Sequence, residues 1–96
     1  MLTWVIYDIS NDRTPAKIAE RCKDFGLYRV QKSVFLGDLE SNRMDEVLLF
    51  SEELLNLKTD ALYVLPMRRE DFDKVRVLGL GFDRKLVADE VLTKVI

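Results

Sequence analysis

The side chains able to do chemistry in this chain are carboxylates, hydroxyls and cations, because its 96 residues include one cysteine and no histidine. This composition excludes a Ser-His-Asp site, a histidine general base and a conventional zinc site. Asp8 is the candidate catalytic residue, since it ends the first apolar segment. Two such carboxylates that meet across a twofold axis can hold a hard cation such as Mg²⁺ or Mn²⁺, with water completing the coordination shell.

Asp8 also has a structural interpretation. An aspartate that follows a strand and precedes a helix often accepts hydrogen bonds from backbone N–H groups, as an Asx turn or a helix cap. The residues alone favour this role for Asp8, and they assign Asp12 to the same turn. The single cysteine, Cys22, lies on the apolar side of a predicted helix, which indicates core packing rather than redox chemistry.

Length and composition predict one domain over residues 1–96, with two packed layers at most. The apolar fraction of 48% argues against disorder. No run approaches the roughly 18 apolar residues that span a membrane, and the first residues lack a basic leader with a cleavage site. We therefore expect a cytoplasmic protein without a membrane partner.

Charge is unevenly distributed, although the formal net charge is only −2. Residues 1–36 carry six Lys or Arg against four Asp or Glu, whereas residues 37–60 carry two against seven. The acidic total excludes attachment to nucleic acid by bulk charge, but the first third of the chain can form a local basic stripe that contacts phosphates. A solvated surface of mixed charge is the alternative.

The elements that must position Asp8 begin with a strand and a helix. Leu2 to Ile9 is continuously apolar, which is typical of a central strand covered on both faces. The helix after it has Pro15 in its first turn and stops at Gly26. Its candidate N-cap oxygens belong to Asn11, Asp12 and Thr14. Tyr28 to Leu36 alternates, which predicts either one bent strand or a tight pair of strands ending near Gly37 to Leu39.

The second half of the chain predicts another helix and further strands. Ser41 caps the helix, with Asp45 and Glu46 in its first turn. Its buried stripe is expected to contain Met44, Val47, Leu48, Leu54 and Leu55. Strands are predicted for Asp60 to Met67 and for Val75 to Leu80, whereas Leu86 to Ile96 fits a strand or a short helix equally well.

This order predicts a ferredoxin-like sandwich (βαββαβ), an α+β fold whose antiparallel sheet carries both helices on one face and has an extra C-terminal strand. The other face exposes alternate residues of the first strand, either Leu2, Trp4 and Ile6 or Thr3, Val5 and Tyr7. An apolar face of this kind predicts a symmetric homodimer, and Asp8 shares the parity of the first set. Loops and the tail of the same chain are the alternative cover.

Three short segments resemble a family signature. Residues 7–10 read Tyr-Asp-Ile-Ser, residues 12–13 read Asp-Arg, and residues 26–35 read Gly-Leu-Tyr-Arg-Val-Gln-Lys-Ser-Val-Phe. This pattern resembles the CRISPR-associated Cas-two family, small dimeric nucleases that partner the CRISPR integrase. The resemblance covers nearly the whole chain in length and element order, and its specific motifs lie within residues 5–38.

The resemblance implies that Asp8 is both the metal ligand and the catalytic residue, with Mg²⁺ or Mn²⁺ as the cofactor. It implies packing of Phe35 at the dimer interface and pairing of residues 86–96 with the partner's sheet. Many family members place an arginine about seven residues after the aspartate, where this chain has Pro15. The residues that the resemblance associates with nucleic acid are Tyr7, Arg13, Lys17, Arg29, Lys32 and Ser33.

Three functions fit these features. The first is a metal-dependent endonuclease that cuts RNA or DNA. The second is a non-catalytic dimeric scaffold that bridges the CRISPR integrase on double-stranded DNA. The third is an unrelated ferredoxin-like module, either ligand-binding or a toxin-type endoribonuclease similar to virulence-associated protein D. The first two are compatible within one family, and either implies a role in CRISPR spacer acquisition.

Overall fold

The computed structural model describes residues 1–79 and residue 81. In chain order the elements are β1 (Leu2–Asp8), α1 (Thr14–Asp24), β2 (Tyr28–Gln31), β3 (Val34–Asp38), α2 (Ser41–Leu54), β4 (Ala61–Met67) and α3 (Arg69–Phe72). The order of the first six elements confirms the ferredoxin-like prediction. Within the described residues, no helix has the length and apolar character needed to cross a membrane.

The four strands form one antiparallel sheet in the order β2-β3-β1-β4. β1 is paired on both edges, with Trp4 opposite Leu36 on β3 and opposite Leu65 on β4. This central position explains why β1 reads as a continuous apolar run. Asp8, the last residue of β1, is paired with Ala61 at the start of β4.

The main core lies between the sheet and the two longer helices. Val5, Ile18 and Phe35 have no exposed surface there, as expected where alternate strand residues meet the apolar stripe of a helix. Cys22 is also fully buried, and burial raises the pKa of its thiol to about 12. The predicted core role of Cys22 is confirmed. The predicted role of Phe35 at a dimer interface is wrong, because its ring packs inside its own chain.

The segment between α1 and β3 is a tight turn followed by a hairpin. Gly26 has a φ of 80°, which only glycine adopts without steric cost, and its N–H donates to the carbonyl of Lys23 at 2.9 Å. β2 and β3 are then joined by two residues, Lys32 and Ser33. Of the two alternatives for Tyr28 to Leu36, the tight pair of strands is therefore confirmed.

α2 differs in detail from its prediction. Glu40 is the N-cap residue and Ser41 is the first helical residue, so Asp45 and Glu46 lie beyond the first turn. The buried stripe contains Val47 as expected, but it also includes Phe50 and Ser51. Leu48 is 47% exposed, because its position is rotated away from the sheet.

The face of the sheet opposite the two longer helices is partly covered by the chain itself. Phe72 of α3 packs on Trp4, with ring centroids 5.9 Å apart, and both side chains are buried. The strand predicted for Val75 to Leu80 is wrong for residues 75–79, which form no strand. Tyr63 and Leu65 on β4 remain exposed. The predicted pairing of residues 86–96 lies outside the described residues.

Candidate functional site

Asp8 stands at the open end of the central strand. Its side chain is exposed, and strand alternation places it on the same face as Trp4 and Ile6. No described residue donates a hydrogen bond to its carboxylate or forms an ion pair with it. The carboxylate is therefore available to an external ligand, and the capping role that the residues alone favoured falls to another side chain.

That other side chain is Asn11. Its Oδ1 accepts hydrogen bonds from the backbone N–H of Arg13 at 2.9 Å and of Thr14 at 2.8 Å. These N–H groups belong to the start of α1 and would otherwise lack intrahelical partners. Asn11 was one of the three predicted N-cap residues, but Arg13 occupies the N-cap position, so Asn11 serves these N–H groups from two residues before the cap.

A surface cleft of about 260 Å³ opens beside Asp8. Three of the residues associated with nucleic acid line it together with the catalytic candidate. The full lining consists of Tyr7, Asp8, Ile9, Asp12, Pro15, Lys32 and Ser33. The fold thus brings together segments that are about 25 residues apart in the sequence, because the β2–β3 turn lies next to the end of β1.

The Lys32 carbonyl ties these segments together. It accepts hydrogen bonds from the Tyr7 hydroxyl at 3.3 Å and from the Arg29 guanidinium, with Nη2 at 2.6 Å and Nε at 3.2 Å. The N–H of Tyr7 donates to the carbonyl of Ser33 at 3.1 Å. Burial raises the pKa of Tyr7, although the nearby Arg29 charge opposes the shift. Tyr7 is therefore a neutral phenol that holds the turn in place.

The cations predicted to contact nucleic acid extend from the cleft over the adjoining surface. Arg29 and Lys32 line a groove between α1 and β2, together with Lys23. Arg13 and Lys17 are exposed near the start of α1, and they line neither the groove nor the cleft. The predicted residues therefore form one cluster at Asp8 and a looser basic surface beside it.

Asp60 was predicted only as the start of a strand, yet it organises the loop after Asp8. Its Oδ1 accepts hydrogen bonds from the N–H and the hydroxyl of Ser10, both at 3.0 Å, and its Oδ2 accepts one from the N–H of Asn56 at 2.9 Å. The hydrogen bond from the Ser10 N–H, followed by that from the Asn56 N–H, lowers the pKa of Asp60. Asp60 thus anchors the residues that follow Asp8.

This anchor predicts a pH dependence. Because the folded pKa of Asp60 lies below the ordinary aspartate value of about 3.9, its stabilising effect is complete above that value and is lost as the pH falls through the folded pKa. We expect the amide resonances of Ser10 and Asn56 to titrate together below pH 3.9, and Asp60→Asn to abolish this step. A common titration midpoint at or above pH 3.9 would contradict a lowered pKa for Asp60. Two-dimensional NMR provides the measurement.

The donor set of a single chain limits how a metal ion can bind. Within residues 1–79 and 81, no three Cys, Asp or Glu side chains lie close enough together to hold one. Mg²⁺ keeps several water ligands and commonly uses one or two carboxylates. The exposed Asp8 carboxylate fits that chemistry as one ligand, and a second copy of Asp8 would supply another.

Comparison with known proteins gives this arrangement a family. The family model described as CRISPR associated protein Cas2 matches residues 1–75. A CRISPR-associated endoribonuclease Cas2 from Desulforudis audaxviator is 35% identical over 71 residues, which span 74% of this chain and 67% of that protein. The protein of the same name from Korarchaeum cryptofilum is 35% identical over 81 residues, which span 80% of this chain and 83% of the relative.

The fold also matches a solved structure. The crystal structure of a hypothetical protein from Thermus thermophilus matches with a TM-score of 0.69 and 36% sequence identity, covering 83% of this chain and 92% of that one. Both Asp8 and the β2–β3 turn lie within the part of the chain that the family model matches. The chain therefore belongs to the CRISPR-associated Cas2 family.

Proposed function

We propose that this protein is a CRISPR-associated, metal-dependent endonuclease that acts on RNA, with Asp8 as its metal ligand and catalytic residue. The observation that carries the proposal is the exposed Asp8 carboxylate, which lies beside Lys32 and Ser33 in one cleft and has no partner among the described residues. The names of the two relatives above support RNA as the substrate. DNA is the alternative substrate, and cleavage assays with both distinguish them.

The proposed active form is a homodimer. The exposed apolar side chains of Tyr63 and Leu65 lie on the same face as Asp8, and a second copy that packs on this face would bring two Asp8 carboxylates towards one axis. Their mutual repulsion favours uptake of a cation between them. Mg²⁺ or Mn²⁺ held there would polarise a phosphate and lower the pKa of a bound water molecule.

The chain's own residues have defined tasks in this proposal. The Asp8 carboxylates would hold the cation and orient a water molecule towards the phosphate. The Ser33 hydroxyl, which belongs to a residue that lines the cleft, would donate a hydrogen bond to a phosphate oxygen. Tyr7 fixes the β2–β3 turn through the Lys32 carbonyl, so the groups that line the cleft keep their positions when a substrate enters.

A second candidate function is that of a scaffold, in which the dimer bridges the CRISPR integrase on double-stranded DNA during spacer acquisition. One observation favours it. Pro15, which cannot neutralise a phosphate, occupies the cleft where the family pattern has a cation nearby. The scaffold requires no chemistry from Asp8, and the exposed cations Arg13 and Lys17 would meet DNA phosphates. Membership of the Cas2 family removes the third hypothesis, an unrelated module.

Metal removal tests the proposed activity directly. We expect purified protein to cleave single-stranded RNA with Mg²⁺ or Mn²⁺ and to lose cleavage in EDTA, because the carboxylates alone provide no Lewis acid. Restoring Mg²⁺ in excess should restore the rate. Cleavage that persists in EDTA would reject a metal-dependent mechanism, and absence of cleavage under all conditions would leave the scaffold as the function.

A further inference from the structure

We propose that Lys32 is the residue that binds the phosphate being cleaved, whereas the guanidinium of Arg29 is committed to the protein's own turn. This inference rests on the proposed function, because it names the substrate contact of the same cleft. It separates two cations that the sequence pattern had treated alike. Lys32 thereby becomes a substrate-binding residue, and Arg29 does not contact the scissile phosphate.

The argument starts from the charge in the cleft. Among the described residues that line it, Asp8 and Asp12 are acidic, and Lys32 is the cation. A divalent cation held between two Asp8 carboxylates would balance their charge, but Asp12 leaves a further negative charge in the cleft that opposes an approaching RNA phosphate. Lys32 is exposed and has no ion-pair partner among the described residues. Its ammonium group is therefore available to the phosphate.

Arg29 is placed differently. Two of its nitrogens donate to the Lys32 carbonyl, and its guanidinium carbon lies 5.6 Å from the centre of the Phe35 ring. Turning towards a phosphate would cost Arg29 both hydrogen bonds and the contact with the ring. Arg29 lines the adjoining groove rather than the cleft that contains Asp8.

The backbone of Lys32 is fixed from two directions, which holds this residue at the cleft that Asp8 also lines. Its carbonyl receives the Tyr7 hydroxyl from the end of β1 and the Arg29 side chain from β2. Lys32 lines both the cleft and the groove. The cations of the groove, Lys23, Arg29 and Lys32, outnumber its carboxylates, Asp12 and Glu20. A strand of RNA that follows this groove would therefore reach Asp8 by passing Lys32.

Position 15, occupied by Pro15, allows a test in which a positive charge introduced there replaces the one removed from Lys32. It lines the same cleft as Lys32 and stands in the first turn of α1, so a longer cationic side chain at position 15 would project beside Asp8. Arginine can replace proline there without losing a helical hydrogen bond, because the first N–H groups of a helix have no intrahelical acceptor. A charge introduced at position 15 should stand in for the one removed at position 32.

The experiment compares three variants and one control variant with the metal-loaded wild-type dimer. Lys32→Met keeps the aliphatic stem and removes the charge, and it should lower RNA cleavage by about 100-fold, as expected for the loss of one group that stabilises negative charge in a reacting phosphate. Lys32→Arg should retain most of the activity. The double variant with Lys32→Met and Pro15→Arg should recover at least about tenfold, as partial restoration of the missing charge requires. Lys74→Met, an exposed lysine outside the cleft, is the matched control.

Binding provides a readout that does not depend on cleavage. In an Asp8→Asn background, Lys32→Met should reduce the salt slope of binding to single-stranded RNA by about 0.7, as expected for one lost phosphate contact. If the wild type does not cleave RNA, the proposed function fails. The change in the salt slope of RNA binding still tests whether Lys32 contacts a phosphate. An unchanged slope, or cleavage by Lys32→Met equal to that of Lys74→Met, would overturn the assignment. Failure of Pro15→Arg to raise the activity of Lys32→Met would also count against it.

Discussion

Asp8→Asn is expected to abolish metal-dependent cleavage while leaving the fold and the dimer intact. The substitution keeps the shape of the side chain and removes the charge that binds a divalent cation. Loss of a Lewis acid worth several kcal/mol corresponds to a fall in rate of at least about 100-fold. Because Asp8 is exposed and has no partner among the described residues, stability should change by no more than about 0.5 kcal/mol.

The controls for this variant separate an active site from a contaminant. Asp45→Asn, at an exposed position on α2, makes the same chemical change away from the cleft and should cleave like the wild type. Activity of Asp8→Asn equal to that of Asp45→Asn would reject Asp8 and point to a contaminating nuclease. Rates are measured with labelled RNA, and light scattering verifies the dimer.

The same variant separates the enzyme from the scaffold. If the scaffold function also holds, spacer integration together with the CRISPR integrase should continue in Asp8→Asn at close to the wild-type level, since phosphate contacts in that role come from cations. Loss of integration in a folded, dimeric variant would give the carboxylate a role in assembly. Without metal, Asp8→Asn should also dimerise at least as tightly as the wild type, because two facing carboxylates no longer repel.

The regular elements follow from local patterns, and they could be predicted. The apolar run of β1, the alternation after Gly26 and the oxygens before α1 each depend on residues close together in the sequence. The strand predicted for Val75 to Leu80 is wrong for residues 75–79, because Phe72 has a tertiary partner. The packing of Phe72 on Trp4 favours a short helix before Val75, whose N–H donates to the Phe72 carbonyl at 3.0 Å.

The site was predictable only in part. Asp8 stands out because it ends a strand, and Lys32 belongs to a recognisable motif. The contacts that hold them depend on the register of distant segments: Asp60 binds Ser10 across 50 positions of the sequence, and the Tyr7 hydroxyl reaches Lys32 across 25. Nothing in the sequence around Arg29 indicates that its guanidinium donates to the backbone carbonyl of Lys32. The sequence therefore identified the groups near Asp8 and left open which of them are free to bind a substrate.

The sheet face that carries Asp8 contains two kinds of apolar residue, which the structure distinguishes. Trp4 is 7% exposed and packs on Phe72 in its own chain, whereas Leu65, its neighbour across β1 and β4, is 43% exposed. Trp4→Asp removes a large core side chain, at a cost of about 3–5 kcal/mol, and buries a charge. It should disrupt folding and assembly together, so it cannot report on the interface alone.

Leu65→Asp should separate assembly from folding. The side chain is half-exposed in one chain, so its loss should change the folding of that chain little, but a charge at the centre of an apolar dimer interface would be desolvated without a partner. We expect the dissociation constant of the dimer to rise at least about 100-fold, or roughly 2.7 kcal/mol, with circular dichroism unchanged. Leu49→Asp, at a 63% exposed position on the outer side of α2, is the matched control and should stay dimeric. Sedimentation over a concentration series measures both variants. If Leu65→Asp and Leu49→Asp sediment alike as dimers, the interface does not lie on this face, and two Asp8 carboxylates cannot meet in the way that the proposed metal site requires.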